Sequence, residues 1–144
     1  MEKEVLITID GLQSLDGESD QVQVITPGEY YFQMGKHYLL YDEVAEDYTA
    51  VVKNMIKIQE GKIEIVKRGP LKAFMAFEEG KQNSGYYDTP FGRLQIGIRA
   101  ERIQVQEETD RLTVQIAYSL QMNEQFVSEC SIKLSVAPRS SIKL

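Results

Sequence analysis

The side chains that could do chemistry are few in this sequence: one histidine, one cysteine and scattered acidic residues. A Ser–His–Asp or Cys–His nucleophile would have to use His37 or Cys130, and a zinc site needs several such ligands. His37 opens a predicted strand after a turn, which favours an exposed side chain. Cys130 lies on an apolar strand face, which favours a small buried hydrophobe, and Glu107 and Glu108 are interpreted as solvated turn charges. We therefore predict a non-enzymatic protein without catalytic residues, metal or cofactor.

Residues 85–93 (GYYDTPFGR) combine turn chemistry, aromatic rings and a cation. Pro90 fixes its own φ and lacks an N–H, and Gly92 accepts positive φ at no steric cost. The stretch therefore predicts a tight connection between two strands. Two interpretations of its side chains stay open. Either the tyrosines, Phe91 and Arg93 contact a ligand at a barrel mouth, or buried aromatic rings hold a strand corner, which turn chemistry alone explains.

Arg99 and Glu101 share a strand face opposite Ile98 and Ala100. Their predicted place is the solvent side of the sheet. If that face points into a barrel instead, Arg99 is a buried charge that needs an acidic partner or an anionic ligand. The candidate ligand-binding residues of the whole chain are Tyr30, Phe32, Tyr86, Tyr87, Phe91, Arg93, Arg99 and Glu101.

Size and charge limit the classes of function. The 144 residues are expected to form one domain, residues 1–144, large enough to bury a core without disulfides. There are 16 basic and 22 acidic residues, which gives a net charge of −6. This balance argues against nucleic acid as a partner, because a basic face would be expected.

The expected location is the cytoplasm. A single cysteine excludes an internal disulfide and fits a reducing compartment. The charged start has no signal-peptide pattern, and no apolar run reaches the roughly 18 residues that a membrane helix needs. We expect a monomer or a weak homodimer that contacts neither membrane nor nucleic acid.

Apolar residues recur at every second position along most of the chain, as in Val5, Ile7 and Ile9, and residues 48–59 keep one phase throughout. This period indicates half-buried β-strands. The apolar phase changes from even to odd positions between Ile98 and Ile103, which predicts a β-bulge near Ala100 to Arg102. Loops are expected at residues 11–20 and 79–84, a turn at residues 26–29 and a loose tail at residues 137–144.

The predicted fold class is all-β. Roughly eight to ten strands joined by tight turns, without a capped helical pattern, indicate an antiparallel up-and-down barrel or a sandwich, and the barrel is the predicted architecture. In such a barrel the apolar faces point inward and no free edge remains.

Several short motifs resemble one known family. The most specific is the Tyr-x-Thr-Pro-aromatic-Gly run, and the others are individually weak. The motifs are Tyr41-Asp42-Glu43, Lys67-Arg68-Gly69, Met75-Ala76-Phe77, Tyr87-Asp88-Thr89-Pro90-Phe91-Gly92 and Tyr118-Ser119-Leu120. The chain resembles, over nearly its whole length, the YwiB-like bacterial family of unknown function. That resemblance implies a lipocalin-like, calycin-type β-barrel and adds no catalytic residues.

Three functions remain open. The first is binding of a small, partly apolar ligand in the barrel or at its mouth, and it is the leading hypothesis. The second is a protein-interaction or scaffold module with a filled core, which would show an exposed apolar patch or strand edge. The third is an enzyme that uses tyrosine, arginine and glutamate at the barrel mouth, for which no catalytic pattern is present.

Overall fold

The computed structural model describes residues 1–15, 18–44 and 50–141, and β-strands make up most of this part of the chain. The strands are β1 (Glu4–Leu15), β2 (Glu18–Gln33), β3 (Lys36–Val44), β4 (Val51–Gln59), β5 (Lys62–Arg68), β6 (Ala73–Glu78), β7 (Gln82–Thr89), β8 (Gly92–Glu108), β9 (Arg111–Met122) and β10 (Gln125–Pro138), followed by a 3₁₀ turn at Arg139–Ser141. No helix among the described residues is long and apolar enough to cross a membrane.

The strands close into a single barrel. Each strand pairs with its neighbours in sequence, and β1 pairs with β10 to complete the ring in the order β1-β10-β9-β8-β7-β6-β5-β4-β3-β2. The strand pairs, from β1–β2 to the closing β1–β10, are antiparallel. The predicted all-β, antiparallel, up-and-down barrel is therefore confirmed.

The middle of the barrel is filled by side chains. Ile7, Leu39, Ile58 and Phe77 have 0% exposed area, and they belong to one continuous apolar cluster. The Phe77 ring packs edge-on against Tyr118 with 5.0 Å between ring centroids. The alternating pattern produces this core because every second side chain of a strand points to the same face.

The predicted bulge is confirmed. The register of β8 against β9 shifts between Ala100 and Arg102. Ile98 and Ala100 are buried before the shift, and Ile103 packs against the core after it. The bulge therefore lets β8 keep its apolar side chains inward while the strand bends around the barrel.

The predicted loop is wrong at residues 11–15 and 18–20, which belong to strands, while residues 16 and 17 lie outside the described residues, and the predicted turn at residues 26–29 is also wrong. β1 and β2 pair from Glu4 opposite Glu29 to Leu15 opposite Glu18, so the predicted turn lies inside β2. β2 pairs with β3 only from Glu29 to Gln33. Pro27 therefore lies where one side of β2 is an edge, the position in a sheet that tolerates proline.

Three strand boundaries also differ from the predicted ones. β7 begins at Gln82, inside the predicted loop at residues 79–84. The loose tail predicted at residues 137–144 is wrong at Ala137 and Pro138, which pair with Leu6 and Val5, and residues 142–144 lie outside the described residues. β4 is described from Val51, and the predicted strand residues 48 and 49 lie outside the described residues.

Candidate functional site

The two ends of the barrel carry different sets of predicted residues. In an up-and-down barrel successive connections lie at alternate ends. The β2–β3 and β8–β9 connections mark one end, here called the His37 end, and the β7–β8 turn at Pro90 and Phe91 marks the other, here called the Pro90 end. Tyr30 and Phe32 approach the His37 end, so the predicted ligand-binding residues do not form one cluster.

The outer wall near the Pro90 end is held by a local ion pair. Arg93 Nε donates to Asp88 Oδ1 at 2.7 Å, and its guanidinium lies 4.0 Å from the centre of the Tyr86 ring. The hydrogen bond from Arg93 lowers the pKa of Asp88, and the same bond raises the pKa of Arg93. Phe91 is fully exposed at 100%. These contacts fit a strand corner held from outside, although the buried ring that was expected at Phe91 is not found.

Arg99 and Glu101 are both exposed, on the solvent side of β8, where the alternation placed them. Arg99 is paired in register with Ser119, next to the bulge at Ala100. Neither Arg99 nor Glu101 therefore lines the barrel interior.

A row of five inward-facing residues, four of them polar, crosses five strands near the Pro90 end. Tyr41 of β3 is opposite Asn54 of β4, Asn54 is opposite Lys67 of β5, and Lys67 is opposite Ala73 of β6, which is opposite Tyr87 of β7. We call these five residues the Lys67 row. Side chains directly opposite each other on one sheet face are close enough to interact, so the row is a continuous surface.

Lys67 is the cation of this row and is only 12% exposed. Its Nζ donates to Asn54 Oδ1 at 2.8 Å and to Glu43 Oε1 at 3.1 Å. Asn54 is 2% exposed, and its Nδ2 donates to the Val52 carbonyl at 3.3 Å, which fixes the amide orientation. Glu43 is 43% exposed, so the ammonium is balanced by a carboxylate that also reaches water.

Two tyrosines of this row, Tyr41 and Tyr87, and Tyr118 of β9 have neutral hydroxyls. Burial raises the pKa of Tyr41 to about 12, with Glu43 and Tyr87 adding to the effect. Burial and the nearby Glu43 raise the pKa of Tyr87. Burial also raises the pKa of Tyr118, with a further contribution from Cys130. At neutral pH these phenols therefore keep their protons and can donate hydrogen bonds.

A groove in the barrel wall leads to the same row. β2 and β3 separate beyond Glu29 and Leu40, where their pairing ends. The groove has a volume of about 560 Å³ and is lined by Lys3, Glu4, Thr26, Pro27, Gly28, Glu29, Leu40, Tyr41, Asp42, Lys53, Asn54 and Arg139. Because Tyr41 and Asn54 line it, the groove connects the outside of the wall with the inner polar row.

The His37 end carries a chain of hydrogen bonds. Tyr30 Oη and His37 Nδ1 are 2.6 Å apart, and His37 Nε2 and Glu107 Oε1 are also 2.6 Å apart. His37 is 7% exposed, so the prediction of an exposed histidine is wrong. The Phe32 ring lies 4.9 Å from the His37 ring. Burial raises the pKa of Tyr30, and the charge of Glu107 adds to this effect. The Tyr30 hydroxyl is therefore protonated and is not a nucleophilic phenolate.

Sequence reasoning predicted Tyr87, Tyr30 and Phe32 but missed the polar residues beside them, although signals were present. Asn54 and Lys67 occupy inward positions of apolar strands, beside Ile56 and Ile65. A polar residue in such a position marks either a paired core group or a site. After the bulge, Ile103, Val105 and Glu107 share the inward phase, which places Glu107 at the mouth. Among the described residues, no group of three or more His, Cys, Asp or Glu side chains is placed to hold a metal ion.

Comparison with known proteins gives consistent results for family and fold. Residues 7–134 match the family model described as Domain of unknown function (DUF1934). The uncharacterized beta-barrel protein YwiB of Bacillus subtilis (strain 168) is 27% identical over 110 residues, which cover 76% of each chain. The crystal structure of ywiB protein from Bacillus subtilis superposes with a TM-score of 0.83 at 21% identity, covering 94% of this chain and 92% of the other. At that identity the structural match establishes the fold alone.

Proposed function

The chain belongs to the DUF1934 family, and on that premise we propose that it is a non-catalytic binding protein for a small, partly apolar ligand. The proposed site is the Lys67 row together with the groove between β2 and β3. This corresponds to the ligand-binding role expected of a lipocalin-like barrel in the cytoplasm, with the ligand at the wall and mouth instead of in the centre.

The observation that carries the proposal is Lys67 itself. A lysine that is 12% exposed loses most of its hydration and side-chain entropy, which an apolar residue would not lose. Its ammonium has three N–H donors, and two donate to Asn54 and Glu43. The third donor is suited to an acceptor group of a ligand.

The charges of the site indicate a neutral polar head group. Lys67 is balanced by Glu43, so an anionic ligand would add a charge that the site does not neutralise. The protonated hydroxyls of Tyr41 and Tyr87 add hydrogen-bond donors. A carbonyl or hydroxyl oxygen would accept from these donors without an extra charge.

The groove supplies the apolar surface for the rest of the ligand. Pro27 and Leu40 line it, and Leu40 is 36% exposed. A volume of about 560 Å³ is within the range of small-molecule sites in proteins. A short alkyl chain lying on these residues would place a polar head at Tyr41 and Asn54.

The proposal is tested with three probes that share a ten-carbon tail: decanamide, decanoate and decylamine. Native mass spectrometry and calorimetry should show decanamide binding more tightly than the two charged probes, and Lys67→Met should weaken it about tenfold or more. Tyr41→Phe, which keeps the ring, should weaken it less. Lys57→Met, on the outer face of β4, is the matched control. Absence of binding by all three probes, or equal binding by Lys67→Met, would contradict the proposal.

A second candidate function, weak self-association, has one observation in its favour. Among the described residues, positions 18–28 of β2 have no partner on the β3 side, so this part of the strand is an edge there, and Val22 and Ile25 are 62% and 60% exposed. Such an edge can pair with a second copy of the same strand. Light scattering at about 100 μM protein should then show dimers that Val22→Lys removes, and a strict monomer would eliminate this candidate.

A further inference from the structure

We propose a second binding site, for a small alkylammonium ion, in the mouth at the His37 end. The ion would lie between the Glu107 carboxylate and the rings of Tyr30 and Phe32. This site is at the opposite end of the barrel from the Pro90 turn and does not depend on the function proposed for the Lys67 row.

The mouth contains a cavity of suitable composition. Met1, Tyr30, Phe32, His37 and Glu107 line a volume of about 440 Å³. A neighbouring cavity of about 420 Å³ shares His37 and Glu107 and adds a second carboxylate, Glu60. Neither lining contains a lysine or an arginine, and the α-amino group of Met1, which lines the first cavity, forms no ion pair with Glu107 among the described residues. The mouth therefore presents negative charge next to aromatic surface.

Glu107 carries the charge of this site. His37 Nε2 lies 2.6 Å from its Oε1, whereas Oε2 has no hydrogen-bond partner among the described residues. Within the same part of the chain, no lysine or arginine forms an ion pair with Glu107. When Tyr30 donates to His37 Nδ1, the ring is neutral and its proton is on Nε2, which donates to Glu107. The carboxylate then keeps its full charge, with one oxygen available to accept from an ammonium N–H.

The buried histidine gives this carboxylate a defined position. Glu107 is 63% exposed and near a strand end, where a glutamate ordinarily samples several rotamers. His37 is 8% exposed as a side chain and has a protein partner on each ring nitrogen, so it cannot move freely. The hydrogen bond therefore holds Glu107 beside the aromatic rings before any ligand arrives, which lowers the entropy cost of binding.

The aromatic rings explain why the ligand is an organic cation and not a metal ion. Phe32 is 57% exposed, and the centre of its ring lies 4.9 Å from the centre of the His37 ring. The centre of the Tyr30 ring lies 5.7 Å from the same His37 ring centre. Aromatic faces attract cations that carry apolar groups. The two carboxylates of the mouth, Glu107 and Glu60, supply too few oxygen ligands for a calcium or magnesium ion.

The test uses butylammonium, tetramethylammonium and neutral butanol as probes of the full chain. Chemical-shift titration should show saturable binding of butylammonium, with a Kd on the order of 1 mM, at amides of residues 30–37 and 105–107. Tetramethylammonium, which has no N–H to donate, should bind several-fold more weakly, and butanol should not bind.

Variants separate the site from a general effect of charge. Glu107→Gln and Phe32→Leu should each weaken butylammonium binding about tenfold, as removal of a charge partner or a ring predicts. Glu108→Gln, one residue away with its side chain exposed, should bind as the native chain does. Circular dichroism checks that each variant keeps its strands. Lack of saturable binding, or equal loss in Glu107→Gln and Glu108→Gln, would overturn the proposal.

Discussion

His37 Nε2 and Glu107 Oε1 lie 2.6 Å apart although 70 positions separate the two residues in the chain. The contact joins β3 to the far end of β8, two strands that are not neighbours in the sheet. It spans the barrel mouth and depends on the bulge that turns Glu107 inward. The same histidine contacts Tyr30 on its other nitrogen, so one buried ring connects β2, β3 and β8.

Replacing His37 should therefore cost stability. His37→Leu leaves the half-buried Tyr30 hydroxyl without its partner, and Glu107 loses the donor that orients it. The free energy of unfolding should fall by about 1–3 kcal/mol, the usual cost of leaving a buried polar group unpaired. Urea denaturation measures the change. Tyr38→Phe, one residue away on the outer face, should change stability by less than about 0.5 kcal/mol. A loss in His37→Leu no larger than that of this control would contradict the prediction.

Asn54 and Lys67 should be strongly coupled in a double-mutant cycle. Asn54→Leu removes the Oδ1 acceptor from the mostly buried Lys67 ammonium. Lys67→Met removes the donor to that oxygen, and Asn54 is only 2% exposed, so water does not replace the donor. Each single change should lower the free energy of unfolding by about 1–3 kcal/mol. The double variant should lose much less than the sum of the two single losses, because neither unpaired group remains. Urea unfolding of the four proteins gives the coupling energy.

The exposed pair Lys53–Asp42 is the control for that cycle. Its Nζ–Oδ2 distance is 3.0 Å, but the two side chains are 69% and 58% exposed. Its coupling should be within about 0–1 kcal/mol, as for other surface ion pairs. Additive costs at Asn54 and Lys67 would show that the buried bond contributes nothing specific.

The barrel should lose stability at alkaline pH through Tyr41. Burial raises the pKa of Tyr41 to about 12 in the folded protein, whereas an unfolded tyrosine has a pKa of about 10. The contribution of Tyr41 is therefore fully present below about pH 10 and is lost as pH rises towards about 12, because the unfolded chain releases its proton first. Tyr41→Phe should show a smaller alkaline loss in urea unfolding. Ultraviolet absorbance should show one more late-titrating phenol in the native chain than in the variant, and identical titrations would contradict the assignment.

Gly28 and Gly11 should respond oppositely to alanine. A Cβ at Gly28 would lie 2.5 Å from Ile7 Cδ1 and 2.8 Å from the Leu40 carbonyl oxygen, whereas at Gly11 the nearest atom is the Val22 carbonyl oxygen at 3.9 Å. Gly28→Ala should destabilise by about 1–3 kcal/mol through overpacking. Gly11→Ala should be neutral or stabilising by up to about 1 kcal/mol, because it restricts the unfolded chain. Thermal unfolding of both variants tests the difference, and similar melting temperatures would show that β2 and β3 can separate further at little cost.

Local sequence features predicted much of the fold. The two-residue period identified the strands, the change of phase identified the bulge at Ala100 and Arg102, and Pro90 identified a turn. The same local reasoning failed at Pro27 and Gly28, which have turn chemistry but lie in a strand. Their position is explained only by the missing β3 partner on one side of β2, and that is a property of the assembled sheet.

The sequence by itself determined that this chain makes alternating strands joined by short turns, because a two-residue period and turn residues are encoded in neighbouring positions. It did not determine which residues meet. The Lys67 row depends on the register of five strands, and the His37–Glu107 bond depends on ring closure and on a bulge. Register and closure arise from packing between residues far apart in the chain, so only the tertiary structure decided that the predicted aromatic residues belong to opposite ends and that Lys67 and His37 are buried.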